Sequence, residues 1–464
     1  GNYPTGTNNV ALGDGSMSAV QAGADSNTVV GHSALSSLTT GDQNSAFGRG
    51  TLNNVTTGSY NSALGFASLN QNTGQYNTAV GAGSLQLNTT ASNNTAVGYQ
   101  ALYANTTGTS NNAVGYQALK ANTTANQNNA FGRGSLGSNT TGADNTGFGQ
   151  NTLGANTTAS NNTAVGSDSL SSNTTGASNT ALGQSSLAAN TTASGNVAIG
   201  DNALRAYQTG GDNVVIGRNA GYTLNGNGNC TFLGRGSGFD TTGGNNTFVG
   251  YGSGSGVTSG AKNTIVGLFN GNQGGLDIRT SSNNIVLSDG DGNPRVVVNG
   301  SGHTLMGGAT SSLTTLSASG LEIKSNGQLR VGGSASVDNV ILSTGTTGTK
   351  YFISHYQNNT FVGALIGSGS GLSLSSASDY RLKENVSAMT GATERLKQLN
   401  PSRFNFIAGA DTTIDGFLAH EVQAVVPEAV VGTKDAVDDE GNPVYQSIDQ
   451  SKLVPLLVKT IQEL

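Results

Sequence analysis

Asn94-Thr95-Ala96-Val97-Gly98-Tyr99-Gln100-Ala101-Leu102 returns, with drift, throughout the first 270 residues. An apolar residue followed by Gly stands at 13, 31, 48, 65, 81, 98, 115, 132, 149, 166, 183, 200, 217, 234, 250 and 267, and twelve of the fifteen intervals are 17 residues. Such a fixed period marks a repeat architecture. Leu12, Val30, Phe47, Val97, Phe148 and Val266 exemplify the apolar row before each Gly, and four residues after the Gly runs a second row from Met17 and Leu35 to Leu187 and Leu204. Two apolar positions per period are too few for an amphipathic helix, which would place about six or seven on one face. The pattern predicts a coil of short strands with one Val-type and one Leu-type residue to bury in each turn.

Between the rows lies a corner typified by Asn105-Thr106-Thr107-Gly108, echoed at Asn122, Asn139, Asn156, Asn173 and Asn190. Gly and Asn tolerate the left-handed backbone of tight corners. Stacking coils at ~4.8 Å aligns identical Asn and Thr side chains into ladders that satisfy one another, and fifteen steps give a rod on the order of 70 Å long. At ~25 cal/mol per Å² of apolar burial one slender rod is marginal, so side-by-side association is expected. After Leu204 the second row becomes Gly221, Gly238 and Gly254, which predicts closer backbones and a narrower rod there.

Composition agrees with order by repetition. The 464 residues include 70 Gly and no Trp, with 34% hydrophobic and 10% charged side chains, far from an ordinary enzyme domain. A net charge of −6 gives no electrostatic footprint for nucleic acid or an anionic membrane. The single Cys230 excludes an internal disulfide and a Cys-based zinc cluster, and reads as a small buried residue of the repeat. No apolar run approaches the ~18 residues of a membrane span, so membrane insertion is not expected. Gly1 in place of an initiator Met leads us to expect a fragment or a processed product.

Three regions follow: a 17-residue-repeat solenoid over 1–270, a β-rich shaft or connector over 271–377, and a globular segment over 378–464. In the connector, Ile285-Val286-Leu287 and Arg295-Val296-Val297-Val298 flank Asp289-Gly290-Asp291-Gly292-Asn293-Pro294, a hairpin signal. The alternating Asp and Asn resemble the start of a calcium loop, but the later Glu is missing, and a plain turn is the preferred reading. Short β-like pieces follow at Leu321–Ile323, Leu329–Val331, Val340–Leu342, Tyr351–Ile353 and Thr360–Val362. No metal site and no cofactor is expected anywhere.

The last 87 residues hold 21 of the chain's 46 charges and four of its six prolines. Ala392–Leu399 has helical spacing, Arg403–Phe406 and Phe417–Ala419 read as strands, Asp438–Pro443 as a turn, and Val454–Leu464 as a helix with Pro455 in its first turn. The segment resembles the endosialidase-type intramolecular chaperone domain in three ordered stretches: Ser378-Asp379-Tyr380-Arg381-Leu382-Lys383-Glu384-Asn385, Gly416-Phe417-Leu418-Ala419-His420-Glu421-Val422-Gln423, and Tyr445-Gln446-Ser447-Ile448-Asp449 running on to Leu453-Val454-Pro455-Leu456-Leu457 and Gln462-Glu463-Leu464. The repeats are similar to the left-handed β-roll heads of trimeric autotransporter adhesins and to repeats of phage tail fibres.

These resemblances imply a mainly β homotrimeric rod carrying a mixed α/β chaperone that cuts itself off once the fibre has assembled. They place the scissile bond at Ala377–Ser378, the nucleophile at Ser378 and its base at Lys383, with His420 and Glu421 as candidates for supporting or orienting roles. A Ser-Lys pair is a known variant of the triad logic, provided that burial or neighbouring cations strip the lysine of its proton. The expected protein is a tail-fibre component located in the virion tail, assembled in the host cytoplasm, with a host cell-surface receptor (glycan or protein) and other virion tail proteins as partners. At most it is a single-turnover self-cleaving peptidase. A polysaccharide depolymerase fits poorly, since glycosidic cleavage ordinarily uses two carboxylates and no Glu precedes Glu322. A bacterial surface adhesin and an ice-binding solenoid are the remaining alternatives.

Overall fold

The computed structural model describes residues 6–21, 23–225, 227–306, 320–323, 329–332, 350–357, 360–368, 371–407, 409–437, 441 and 443–464, and the chain forms two compact units, Gly1–Ile341 and Leu342–Leu464. In the first unit sixteen three-residue strands, from Val10–Leu12 to Thr264–Val266, stack in parallel one coil apart. The register is strict: Thr95, Ala96 and Val97 face Asn112, Ala113 and Val114. Backbone bonds join the coils outside the strands as well, with Leu102 N–H donating to the Ala118 carbonyl at 2.9 Å and Thr106 N–H to that of Thr123 at 2.9 Å. The unit is therefore a β-solenoid whose polar backbone is satisfied by stacking.

Successive strand residues face opposite sides, and this assigns the rows differently from their hydropathy. The middle residue points inward, so Ala46, Ala96, Ala113, Ala164 and Ala198 are buried beside the fully buried leucines. The apolar row before each Gly points out: Leu64 is 52% and Phe148 57% exposed. Burial of a Val-type row is thus corrected to burial of an Ala row, and the Val-type row becomes an outward apolar stripe.

The inner leucines hold a left-handed backbone, with φ of 50° at Leu35, 51° at Leu102 and 49° at Leu204. Gly221, Gly238 and Gly254 take that conformation (φ 57–62°) without the Cβ penalty. The space left by the leucines is filled from another strand position, because the middle strand residue enlarges as the leucine disappears. A Cβ on Gly238 would lie 2.6 Å from the Phe232 ring and one on Gly254 2.5 Å from Phe248. The two rings stack at 5.0 Å in the vacated space.

Two ladders of buried amides run along the axis. In one, Asn94 Nδ2 donates to Asn77 Oδ1 (3.3 Å) and to the Gly108 carbonyl (2.9 Å), while Asn111 N–H donates to Asn94 Oδ1 (2.9 Å). Cys230 occupies a rung of this ladder, buried as its sequence context predicts, and burial pushes its thiol pKa up. The second ladder climbs from Asn72 to Asn190, each Nδ2 donating to the preceding Oδ1, as from Asn122 to Asn105 (2.9 Å) and from Asn139 to Asn122 (3.1 Å). Tyr207 replaces the next rung, leaving Asn190 Oδ1 without a partner in the protein.

This ladder makes a comparative prediction. Asn122→Leu orphans Asn105 Oδ1 and removes the acceptor of Asn139, at about 1–3 kcal/mol for each buried unpaired group. Asn190→Leu orphans only Asn173 Oδ1 and removes an oxygen already unpaired. Thermal denaturation should find Asn122→Leu the more destabilising by about 1 kcal/mol or more; equal costs would show that the rungs are not coupled.

Beyond Val266 the strand Ile285–Ser288 continues the parallel stack and then turns back on Pro294–Val298 in the expected hairpin. The Asp289 carboxylate accepts from Asn293 N–H (2.8 Å), Asp291 N–H (3.0 Å) and Arg295 Nε (2.9 Å), and these donors, Asn293 N–H foremost, pull its pKa down to about 2. Thr304–Met306, Gly320–Ile323 and Leu329–Gly332 extend the sheet antiparallel, in agreement with the β-like pieces at Leu321 and Leu329. The piece at Val340–Leu342 lies outside the described residues.

The second unit opens with an antiparallel sheet of Lys350–Gln357, Thr360–Ser368 and Gly371–Ser376; the last of these strands was not anticipated. Helix α1 (Ala392–Leu396), helix α2 (Ala419–Val425) and helix α3 (Val454–Glu463) then gather around Ala392, Val422, Val426, Ala429, Leu453 and Leu456. Ser402–Phe406 pairs with Gly409–Gly416. Phe417–Ala419 is not a strand: extension ends at Gly416, and Val422 and Val426, four residues apart, turn the chain into α2 with both buried. The turn expected at Asp438–Pro443 falls largely outside the described residues.

Candidate functional site

Local hydrogen bonding builds a compact loop at Ser378–Lys383. Asp379 caps a single 3₁₀ turn, Tyr380–Leu382, its carboxylate accepting from Arg381 N–H at 2.9 Å. The Arg381 guanidinium closes on the same carboxylate with a fork, Nε to Oδ1 at 2.9 Å and the terminal nitrogen to Oδ2 at 2.8 Å. Those side-chain bonds first, and the backbone bond second, hold the Asp379 carboxyl below its usual range. Lys383 N–H then donates to the Tyr380 carbonyl at 3.1 Å and closes the turn.

The turn brings the two ends of the loop together. Lys383 Nζ donates to Ser378 Oγ at 2.8 Å, although five residues separate them. Both side chains are exposed in the single chain. The aspartate–arginine fork that shapes the loop has no part in the sequence reading; its legible signal is an Asp directly before a turn with a cation two residues on.

The other two candidate residues lie in the first turn of α2. Glu421 accepts from Asn400 Nδ2 at 3.3 Å and His420 is exposed. The Ser-Lys contact itself involves neither of them.

The helical framework that follows the loop in sequence is tied from the far end of the segment. Helix α1 is preceded by Gly391, which has no side chain to cap it. Glu463 of α3 supplies the cap, accepting from Thr393 N–H at 2.9 Å, Thr393 Oγ1 at 2.9 Å and Ala392 N–H at 3.3 Å. Those donors, with Thr393 N–H foremost, lower the Glu463 pKa, as a carboxylate at a helix N-terminus requires. Arg395 binds the Val425 carbonyl (2.9 Å) and Glu428 (3.0 Å), locking α1 to the end of α2.

Chemically, the loop pairs a hydroxyl with an amine at hydrogen-bonding distance, directly after the Ala377 carbonyl. Residues 378–431 match the family model described as chaperone of endosialidase, a segment that starts on Ser378 and contains Lys383, His420 and Glu421. The family implies trimerisation. No curated protein and no solved structure matches the chain.

Proposed function

We propose that the chain is a trimeric phage tail-fibre component for host attachment, whose C-terminal chaperone drives assembly and then releases itself at Ala377–Ser378. The observation that carries the reading is Lys383 Nζ at 2.8 Å from Ser378 Oγ, at the first residue of the chaperone match. The solenoid supports it, since its outward stripe includes Leu12, Phe47, Leu64, Phe131, Phe148, Leu182, Ile216 and Val266, all exposed in the lone chain. Contiguous apolar surface of this kind marks an interaction site, and three copies related by an axis along the rod would cover their stripes together.

In the proposed reaction the Lys383 amine acts as the base. The amine takes the Ser378 Oγ proton as the oxygen attacks the Ala377 carbonyl carbon. Collapse breaks the Ala377–Ser378 C–N bond, returns the proton to the departing Ser378 nitrogen and leaves an ester between Ala377 and Ser378 Oγ. Water then hydrolyses the ester, producing the Ala377 carboxylate and restoring the hydroxyl. Once the 87-residue chaperone has left, the fibre cannot retrace its folding path and its stability becomes kinetic.

Expression of the full chain tests this directly. Denaturing electrophoresis should resolve fragments of 377 and 87 residues, and sedimentation of the undissociated product should give three times the fragment mass. A stable, uncut trimer would remove the proteolytic step, and a well-folded monomer would remove the fibre reading altogether.

A further inference from the structure

Coils around Gly234 and Gly250 form a consecutive pair without a side chain at a position of the outer edge where Gly15, Gly50, Gly83 and Gly134 lack one singly. Two residues after the anchor Gly, most coils carry a side chain; Gln100 and Gln117 bond one another there at 3.0 Å and close the edge. At the same position these coils have Gly236 and Gly252. A Cβ on Gly236 would meet nothing within 4 Å, so the loss of side chains leaves an open groove rather than a tighter packing.

The groove has a volume of about 400 Å³. One wall is Tyr251, 57% exposed, with Arg235 against its ring at 5.5 Å and donating to its hydroxyl at 3.2 Å. Another is Phe239, kept in place by stacking on Tyr222 at 5.1 Å. Asp240 lies beside Phe239, and the amides of Asn219 and Asn270 also line the groove.

Flat aromatic faces flanked by a carboxylate, a guanidinium and amides suit a sugar ring, which offers an apolar C–H face and a rim of hydroxyls that both donate and accept. Arg235 and Asp240 offset one another, which favours an uncharged ligand. We propose that this groove binds a neutral hexose oligosaccharide. The inference rests on the host-attachment reading and specifies the receptor class and the contact site.

Saturation-transfer NMR and calorimetry on the assembled full chain, with maltotriose, cellotriose and chitotriose as probes, test it. At least one trisaccharide should bind, and Tyr251→Ala and Gly236→Gln should each weaken it tenfold or more. Gln is compatible with the left-handed backbone of Gly236 (φ 65°), because Gln100 holds φ 55° at the equivalent position. Tyr99→Ala, which removes an exposed stacked tyrosine on a coil closed by Gln100, should change nothing. Failure of all three sugars to bind, undiminished binding by Gly236→Gln, or preference for anionic sialyllactose would each overturn the assignment. A trimer that binds no sugar leaves the fibre reading standing, whereas a monomer that binds one overturns that reading and keeps the groove.

Discussion

The Ser378→Ala chain should remain a single uncut polypeptide under conditions in which the parent chain yields two fragments, a fall in cleavage rate on the order of 10³-fold or more. The substitution removes only the exposed hydroxyl that Lys383 contacts at 2.8 Å, so folding and trimerisation should survive it. Lys383→Arg is the sharper variant. Arginine keeps the charge and the capacity to donate to Ser378 Oγ, but it cannot surrender a proton in a protein. If Lys383 is the base, Lys383→Arg is as inactive as Lys383→Ala; if it merely positions the loop electrostatically, Lys383→Arg cuts at nearly the parental rate, and the proposed chemistry is wrong. Asp379→Ala belongs in the same series. By releasing Arg381 it should loosen the 3₁₀ turn that presents Lys383, slowing cleavage without abolishing it.

The second large effect concerns the solenoid. Gly115→Val should cost at least about 4 kcal/mol and open the rod to protease near that coil, because such losses belong to clashes that cannot relax. Gly115 has φ 139°, and a Cβ there would stand 2.5 Å from the Gly132 oxygen and 2.6 Å from its carbonyl carbon. Both atoms are backbone of the next coil, which cannot move without breaking the axial hydrogen bonds. Gly83→Asn is the control. Its φ of 69° is one that Asn151 adopts at the equivalent place (φ 52°), and the nearest atom to its Cβ is the end of Gln86 at 3.3 Å. A change within about 1 kcal/mol is expected. Similar melting losses for the two variants would show that coil-to-coil contact at the anchor Gly does not limit stability.

Cβ space, rather than hydropathy, separates these two glycines, and the same distinction governs how much could be read in advance. The 17-residue period, the anchor Gly and the Asn corners are legible because stacking makes each coil repeat the chemistry of its neighbour. Which apolar row lies inside is not legible from hydropathy, since Ala96 and Ala113 weigh little beside Val97 and Val114, yet the alternation of a three-residue strand puts the small residues in. The glycines at 221, 238 and 254 are hard to read for a related reason. Their compensation by Phe232 and Phe248 lies on another side of the coil, and only the closed turn brings the two positions together.

At the candidate site the motif residues are recognisable as letters, while the contact between Ser378 and Lys383 depends on a turn clamped by Asp379 and Arg381. The amino-acid sequence on its own established the repeat, the coil length, the polar ladders and the position of the chaperone segment, because each is a regularity along one dimension. Tertiary structure alone decided which face of each strand is dry, where an edge opens into a groove, and that a serine meets a lysine five residues away. Those outcomes depend on distances between side chains on different turns, and such distances exist only after the backbone has closed its coils.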